Sequence, residues 1–391
     1  MKSGNKLWKM LLSASLAVLM TAGCGTPAAD LSASDTVQTG EHSDGISKDE
    51  IKVGFVHFAD PSDMGYTYNQ EQGTKKMQET LGLRDDQIIS KYNIPDTAEC
   101  ETALRELADD GCNIIFSTSM GHEDYVKEVA EEYPDIQFCH AHGNQAADSG
   151  LPNFHNYFAS VYEGRYLSGI AAGLKTETNK LGYVASFAIP EVISGYTAFY
   201  LGAKSVNPDV TMDIIYMNEW NDPNLESQTT QALIDRGCDV ISQQSDSTAP
   251  ATTAEQNGVW QIGYNSDMTE AAPKASLFSV RVDWSVYEIE AVQDVINGEE
   301  IPTDWCEGIA DDVVYLSPLN TAIAAEGTQE AIDSAAEQIK SGSLHVFEGP
   351  LKGVSPDGKE FEVAAGDYYP EQEEQSAASW QYVIDGCTVI E

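Results

Sequence analysis

Basic residues are scarce. Lysine and arginine total 21 against 63 aspartates and glutamates in 391 residues, a formal charge of -42. Such a field repels nucleic acid and anionic lipid, and it disfavours polyanionic ligands unless a local basic pocket offsets it. The chain has no run of Lys or Arg and no Gly-rich phosphate loop of either common type. A neutral or cationic small ligand is therefore favoured. Catalytic signatures are also missing, with no GxSxG elbow and no HExxH helix. The cysteines, at 24, 100, 112, 139, 238, 306 and 387, lack zinc-type CxxC spacing. Cys112 and Cys238 each follow a glycine and precede an apolar strand, a position suited to free buried thiols. Past the first 24 residues no segment has the roughly 18 uninterrupted apolar residues that a membrane-spanning helix needs.

The first residues have an address rather than a fold. Lysines at 2, 6 and 9, an apolar stretch from Met10 to Met20 and small residues before Cys24 make a secretory signal peptide over 1–23. The Ala-Gly-Cys ending resembles a bacterial lipobox, which makes Cys24 the expected lipidated first residue and its lipid the membrane anchor. Residues 25–48 hold almost no large apolar side chains and read as a disordered tether.

The folded part is organised around Ile51 to Gly73. An apolar run of strand length breaks at Asp60-Pro61-Ser62-Asp63 and passes into a helical pattern. Small ligands sit outside the carboxyl ends of strands in open α/β sheets, so this loop is a candidate site. Strands expected at 51–58, 88–93, 112–118 and 136–142 alternate with helices near 68–81, 97–110 and 122–133. The series then recurs, with strands at 180–187, 211–218, 238–244 and 259–264 and helices near 191–206, 223–236 and 248–257. Local matches support a repeat: ALRELADDGCNIIFSTS at 103–119 against ALIDRGCDVISQQS at 232–245, and PDIQFCHAHG against GVWQIGYNSD.

This pattern predicts two doubly wound parallel-sheet lobes of an α/β fold, facing each other across a cleft. Glu163 to Lys175 would join them as a helix whose small residues, Gly169, Ala172 and Gly173, permit close packing. Two later crossings, near 280 and 303, complete a three-segment hinge. The lobes are then 50–178 with 280–302 and 179–279 with 303–345, followed by a strand extension over 346–391.

Several motifs in consistent order over about 51–353 carry a family resemblance. They are Asp63-Met64-Gly65-Tyr66-Thr67-Tyr68, Tyr162-Glu163-Gly164-Arg165-Tyr166-Leu167-Ser168-Gly169, Glu219-Trp220-Asn221-Asp222-Pro223, Ile262-Gly263-Tyr264-Asn265-Ser266-Asp267 and Val346-Phe347-Glu348-Gly349-Pro350. With them the chain resembles the basic-membrane-protein family of ABC-transporter substrate-binding lipoproteins, and within it the purine nucleoside receptors.

The resemblance implies a type I periplasmic-binding-protein fold and a monomeric, lipid-anchored receptor outside the cell. Such a receptor passes a nucleoside, expected to be a purine, to an ABC permease without a cofactor. Tyr66 and Trp220 fall on its two base-stacking positions. Thr67 stands where an asparagine usually reads the base edge. Glu163 and Asp267 match carboxylates that take ribose hydroxyls, Arg281 lies near a lysine that contacts the sugar, and Asp63 is grouped with them as a ligand contact. Asp246 occupies a strand-end loop where the family has small residues.

Three other readings stay open. His140 and His142 share a strand face as a metal pair would. Trp and Tyr walls with lone carboxylates also suit a sugar. A surface sensor without a permease would carry the same cleft.

Overall fold

A computed structural model describes residues 45–390. The signal peptide, Cys24 and most of the tether lie outside the described residues.

The first lobe is built on strands β1 (Val53–Val56), β2 (Ile88–Lys91), β3 (Ile114–Ser117), β4 (Gln137–Ala141) and β5 (Phe154–Ala159), with helices α1 (Tyr66–Leu81), α2 (Ala98–Asp109), α3 (Glu123–Glu132) and α4 (Ala146–Ser149) between them. Helix α5 (Val161–Lys175) leads to the second lobe, where β6 (Lys180–Ala185), β7 (Thr211–Tyr216), β8 (Val240–Gln244), β9 (Trp260–Tyr264) and β10 (Ser276–Val282) alternate with α6 (Pro190–Val206), α7 (Pro223–Asp235) and α8 (Ala249–Asn257). The sheets run β2-β1-β3-β4-β5 and β7-β6-β8-β9-β10, all parallel within these strands. Both orders reverse after the first strand of the lobe, and ligands bind outside the strand ends at such a reversal. β1, β3 and β5 are buried along their whole length, as expected of parallel strands covered on both faces.

The repeat is exact in backbone geometry at two points. Gly111 and Gly237, ahead of β3 and β8, have φ of +84° and +92°. These are left-handed values that favour glycine. His142 and Asn265, each the first residue past its strand, follow β4 and β9 with φ of +66° and +64°.

Each lobe has a fifth strand that the hydrophobic pattern does not reveal. In β5 the run is interrupted by His155 and Asn156, both buried. They are tolerated because His155 bonds the Pro302 carbonyl (3.1 Å) and Gln137 (2.8 Å), and Asn156 accepts from the Ala146 N–H at 2.8 Å. In β10 the interrupting Ser279 takes the Met268 N–H at 3.1 Å. Polar residues inside a strand were legible only once their partners were known.

The hinge is close to expectation with one shift. After β10 the chain returns to the first lobe, where α9 (Ser285–Asn297) packs on α1 and Asn69 Nδ2 donates to the Val282 carbonyl at 2.8 Å. The crossing expected near 303 comes later, because β11 (Asp304–Glu307) pairs in parallel with β5 and extends the first sheet. The chain leaves at Gly308, and β12 (Val314–Leu316) pairs antiparallel with β10. α10 (Thr328–Lys340) follows.

The C-terminal extension forms a small sheet of β13 (Leu351–Val354), β14 (Glu360–Val363) and β15 (Val383–Ile384) around buried Trp380. β16 (Cys387–Val389) then adds to the edge of the second sheet beside β7. Helices α5 and α6 lie against each other so closely that a Cβ on Gly169 would stand 1.9 Å from the Phe199 carbonyl oxygen, and one on Gly202 1.9 Å from that of Tyr166. The six cysteines among the described residues are unpaired, and four of them are buried.

Candidate ligand-binding cleft

Between the lobes lies a cavity of about 540 Å³, its open mouth included. Its walls come from the residues just past the strand ends. The first lobe supplies Phe58 and Ala59 after β1, Tyr66 and Thr67 at the start of α1, Thr118, Ser119 and Met120 after β3, and His142 after β4. The second supplies Glu191 at the start of α6, Trp220 after β7, Gln244 and Asp246 around the end of β8, and Tyr264 ending β9. Apolar and aromatic faces therefore meet from both sides with a few polar groups set among them.

A continuous polar chain crosses the cleft. Gln70 Nε2 donates to the Tyr66 hydroxyl (2.8 Å), which lies 3.0 Å from His142 Nε2. His142 Nδ1 stands 2.8 Å from Glu191 Oε2 in the opposite lobe, and Gln244 Nε2 donates to Glu191 Oε1 at 2.9 Å. Burial by itself would raise Glu191, but His142 and the Gln244 amide outweigh it and hold this carboxyl below the usual range. Behind this wall, the fully buried Arg165 lies with its guanidinium carbon 3.9 Å from the Tyr264 ring centre.

Of the residues singled out from sequence, the fold brings Tyr66, Thr67, Trp220 and Asp246 together on this cavity. Trp220 rests on Phe187, ring centres 5.1 Å apart. The Tyr66 ring meets Trp284 edge-on at 6.0 Å, and burial raises its hydroxyl well above the usual value.

Four others stand elsewhere. Asp63 does not line the cavity, since its carboxylate accepts from the N–H groups of Gly65 (2.8 Å), Thr67 (2.9 Å) and Tyr68 (3.0 Å) and so caps α1. Glu163 accepts from the Ile309 N–H at 2.7 Å and lines a separate cavity at the hinge with Tyr162, Cys306 and Glu307. Burial pushes its carboxyl up to about 6. Asp267 accepts from the N–H (3.1 Å) and hydroxyl (2.7 Å) of Thr269. Arg281 donates to the Asn265 carbonyl at 2.9 Å and covers Tyr315.

Sequence reasoning missed Phe58, His142, Glu191, Gln244 and Tyr264 as site residues. The available signal was position alone: each lies within a few residues of a strand end or helix start. His142 does not pair with His140 as the rival metal reading would need, since His140 turns to the Ser119 carbonyl at 2.8 Å and is lowered by burial to about 3.

Residues 50–345 match the family described as ABC transporter substrate-binding protein, PnrA-like. A purine-binding protein of Brucella abortus is 34% identical over 328 residues, 83% of this chain and 90% of its own length. A protein of Haloferax volcanii named as an ABC transporter glucose-binding protein is 31% identical over 325 residues, 83% of this chain and 80% of its own length. Among solved structures, an ABC transporter solute-binding protein from Conexibacter woesei superposes with a TM-score of 0.63 at 18% identity, over 75% of this chain and 98% of its own. That likeness carries the fold: the two lobes are those of type I periplasmic solute-binding proteins. By sequence and by architecture, the chain belongs to the PnrA-like family of ABC transporter substrate-binding proteins.

Proposed function

We propose that this protein captures a purine in the interlobe cleft and delivers it to the permease of an ABC importer. It would do so as a monomer held at the outer face of the membrane by lipid on Cys24. The carrying observation is the meeting of aromatic walls from both lobes, Phe58 and Tyr66 against Trp220 and Tyr264. Stacking on such walls is worth about 1–3 kcal/mol per base and accepts any base. The purine-binding relative supports the same class.

The base carries the recognition. Glu163, Asp267 and Arg281, the residues expected to hold a ribose, are engaged away from the cavity. Free purine bases are therefore expected to bind at least as tightly as their nucleosides, which narrows the nucleoside reading. The glucose-binding relative favours a second reading, a sugar. A pyranose needs a partner for each buried hydroxyl, and the cavity sets only a few polar groups among its aromatic walls.

The test is calorimetric titration of the full chain with adenine, guanine, hypoxanthine, the matching nucleosides, ribose and glucose. Binding of purine bases with silence from the sugars is the expected result. Glucose binding with no purine response overturns the proposal, and tight binding of nucleosides alone returns the ribose to the recognition. Turnover of any of these ligands would move the protein to another class.

A further inference from the structure

Resting on the purine reading, we propose that Asp246 enters the complex as a neutral carboxylic acid. It would donate one hydrogen bond to the ligand edge and accept another, so that capture takes up one proton from solvent.

Asp246 follows β8 and opens on the cavity. Its position is fixed by its own backbone: its N–H donates to the Trp220 carbonyl at 3.0 Å, and its carbonyl lies against Gly65 of the other lobe. The charged groups acting on its side chain are carboxylates from three directions, Asp63 ahead of α1, Glu226 on α7 and Glu191 on α6. None of them carries the positive charge that would favour its ionised form. Glu226 accepts from the Ser245 hydroxyl and the Ser247 N–H, while His142 stands 2.8 Å from Glu191 and Arg165 lies over the Tyr264 ring.

The neutral partners are few. The Tyr66 N–H donates to Asp246, and Asn265 Nδ2 stands 3.4 Å from Oδ1 while its own buried Oδ1 has no partner. Burial, then Asp63 and Glu226, raise this carboxyl well above its usual value. An ionised carboxylate can only accept. A neutral one presents a donor beside an acceptor, the complement of the adjacent N7 acceptor and N6 amino donor of adenine.

The sign follows from closure. With the lobes apart, Asp246 meets water and is ionised at neutral pH. With the lobes closed on ligand it holds a proton. Affinity is therefore full below the open-state value and is lost as pH rises through the closed-state one.

The experiment titrates the full chain with adenine, hypoxanthine and glucose at pH 7 in two buffers of different ionisation enthalpy, and then across pH 5.5 to 8. Expected are uptake approaching one proton per ligand and an affinity falling up to about tenfold per pH unit. Asp246→Asn, which keeps a donor and an acceptor, should weaken binding less than Asp246→Ala and should lose both the uptake and the pH slope. Purine binding with no uptake and no slope overturns the proposal. So does uptake that persists in Asp246→Asn, which would move the proton to His142 or Glu191. If glucose alone binds, with uptake that Asp246→Asn removes, the purine reading fails and the role of Asp246 stands. Silence from all three ligands overturns both.

Discussion

Gly65 is where closure of the lobes is most exposed to a single methyl group. It stands ahead of α1, and a Cβ built on it would lie 2.1 Å from the Asp246 carbonyl oxygen and 2.5 Å from that residue's Cα. Both are backbone atoms of the opposite lobe, so no side chain can swing aside. Ordinary contact begins at 3.4 Å. Gly65→Ala therefore holds the lobes apart at this point by roughly 1 Å, and a gap of that size forfeits up to about half of a van der Waals contact. Applied to the stacking from both sides of the cleft, about 1–3 kcal/mol per aromatic wall, the loss is roughly 1–3 kcal/mol, or about 5- to 150-fold in affinity.

Each lobe keeps its own sheet and core, so the unliganded protein should unfold within about 2 °C of wild type. Calorimetry with the tightest purine of the panel reads the first quantity and scanning calorimetry the second. Small-angle scattering should show the ligand-induced compaction of wild type missing from the variant. Binding within threefold of wild type by a normally folded Gly65→Ala protein would refute the reasoning, because it would mean that ligand capture does not need this closed approach.

Trp220→Ala should weaken purine binding by about 1–3 kcal/mol while leaving thermal stability nearly unchanged, since Trp220 is only half-buried against Phe187; equal losses of both would mark it as core. Asp63→Ala removes the acceptor of the Gly65, Thr67 and Tyr68 N–H groups at the start of α1 and should cost roughly 0.5–2 kcal/mol of stability, read as a lower midpoint in denaturant with the slope unchanged. Glu163 gives a pH test. Its folded value of about 6 exceeds the ordinary 4.5, so its contribution to stability is whole below pH 4.5 and is lost as pH rises through 6. Glu163→Gln, which can still accept from Ile309, should therefore match wild type near pH 4 and exceed it by roughly 1–2 kcal/mol at pH 8; a variant less stable at pH 8 would show that the ionised carboxylate is needed at the hinge.

Much of this molecule was legible in its sequence, and the limits have physical causes. The alternation of strand and helix, its recurrence and the small residues of α5 are local properties. Strand-length apolar runs and glycines ahead of β3 and β8 dictate them without reference to the rest of the chain. The position of the cleft followed, because strand ends of two parallel sheets are where backbone can be left open to a ligand. What failed was the assignment of individual polar side chains. Asp63 and Asp267 carry the same group as Asp246, and one-dimensional spacing cannot say that the first caps a helix, the second closes a turn and the third faces the cavity. β5 was hidden for the same reason, since His155 and Asn156 belong in a core only when Pro302, Gln137 and Ala146 satisfy them.

The sequence by itself therefore determined the two lobes, their alternation of strand and helix and the cleft between them, because those depend on periodicities of a few residues. Only the tertiary structure decided which side chains share the cleft. His142 and Glu191 are 49 positions apart and in different lobes, and their 2.8 Å approach exists only after both sheets have formed and the hinge has brought them face to face.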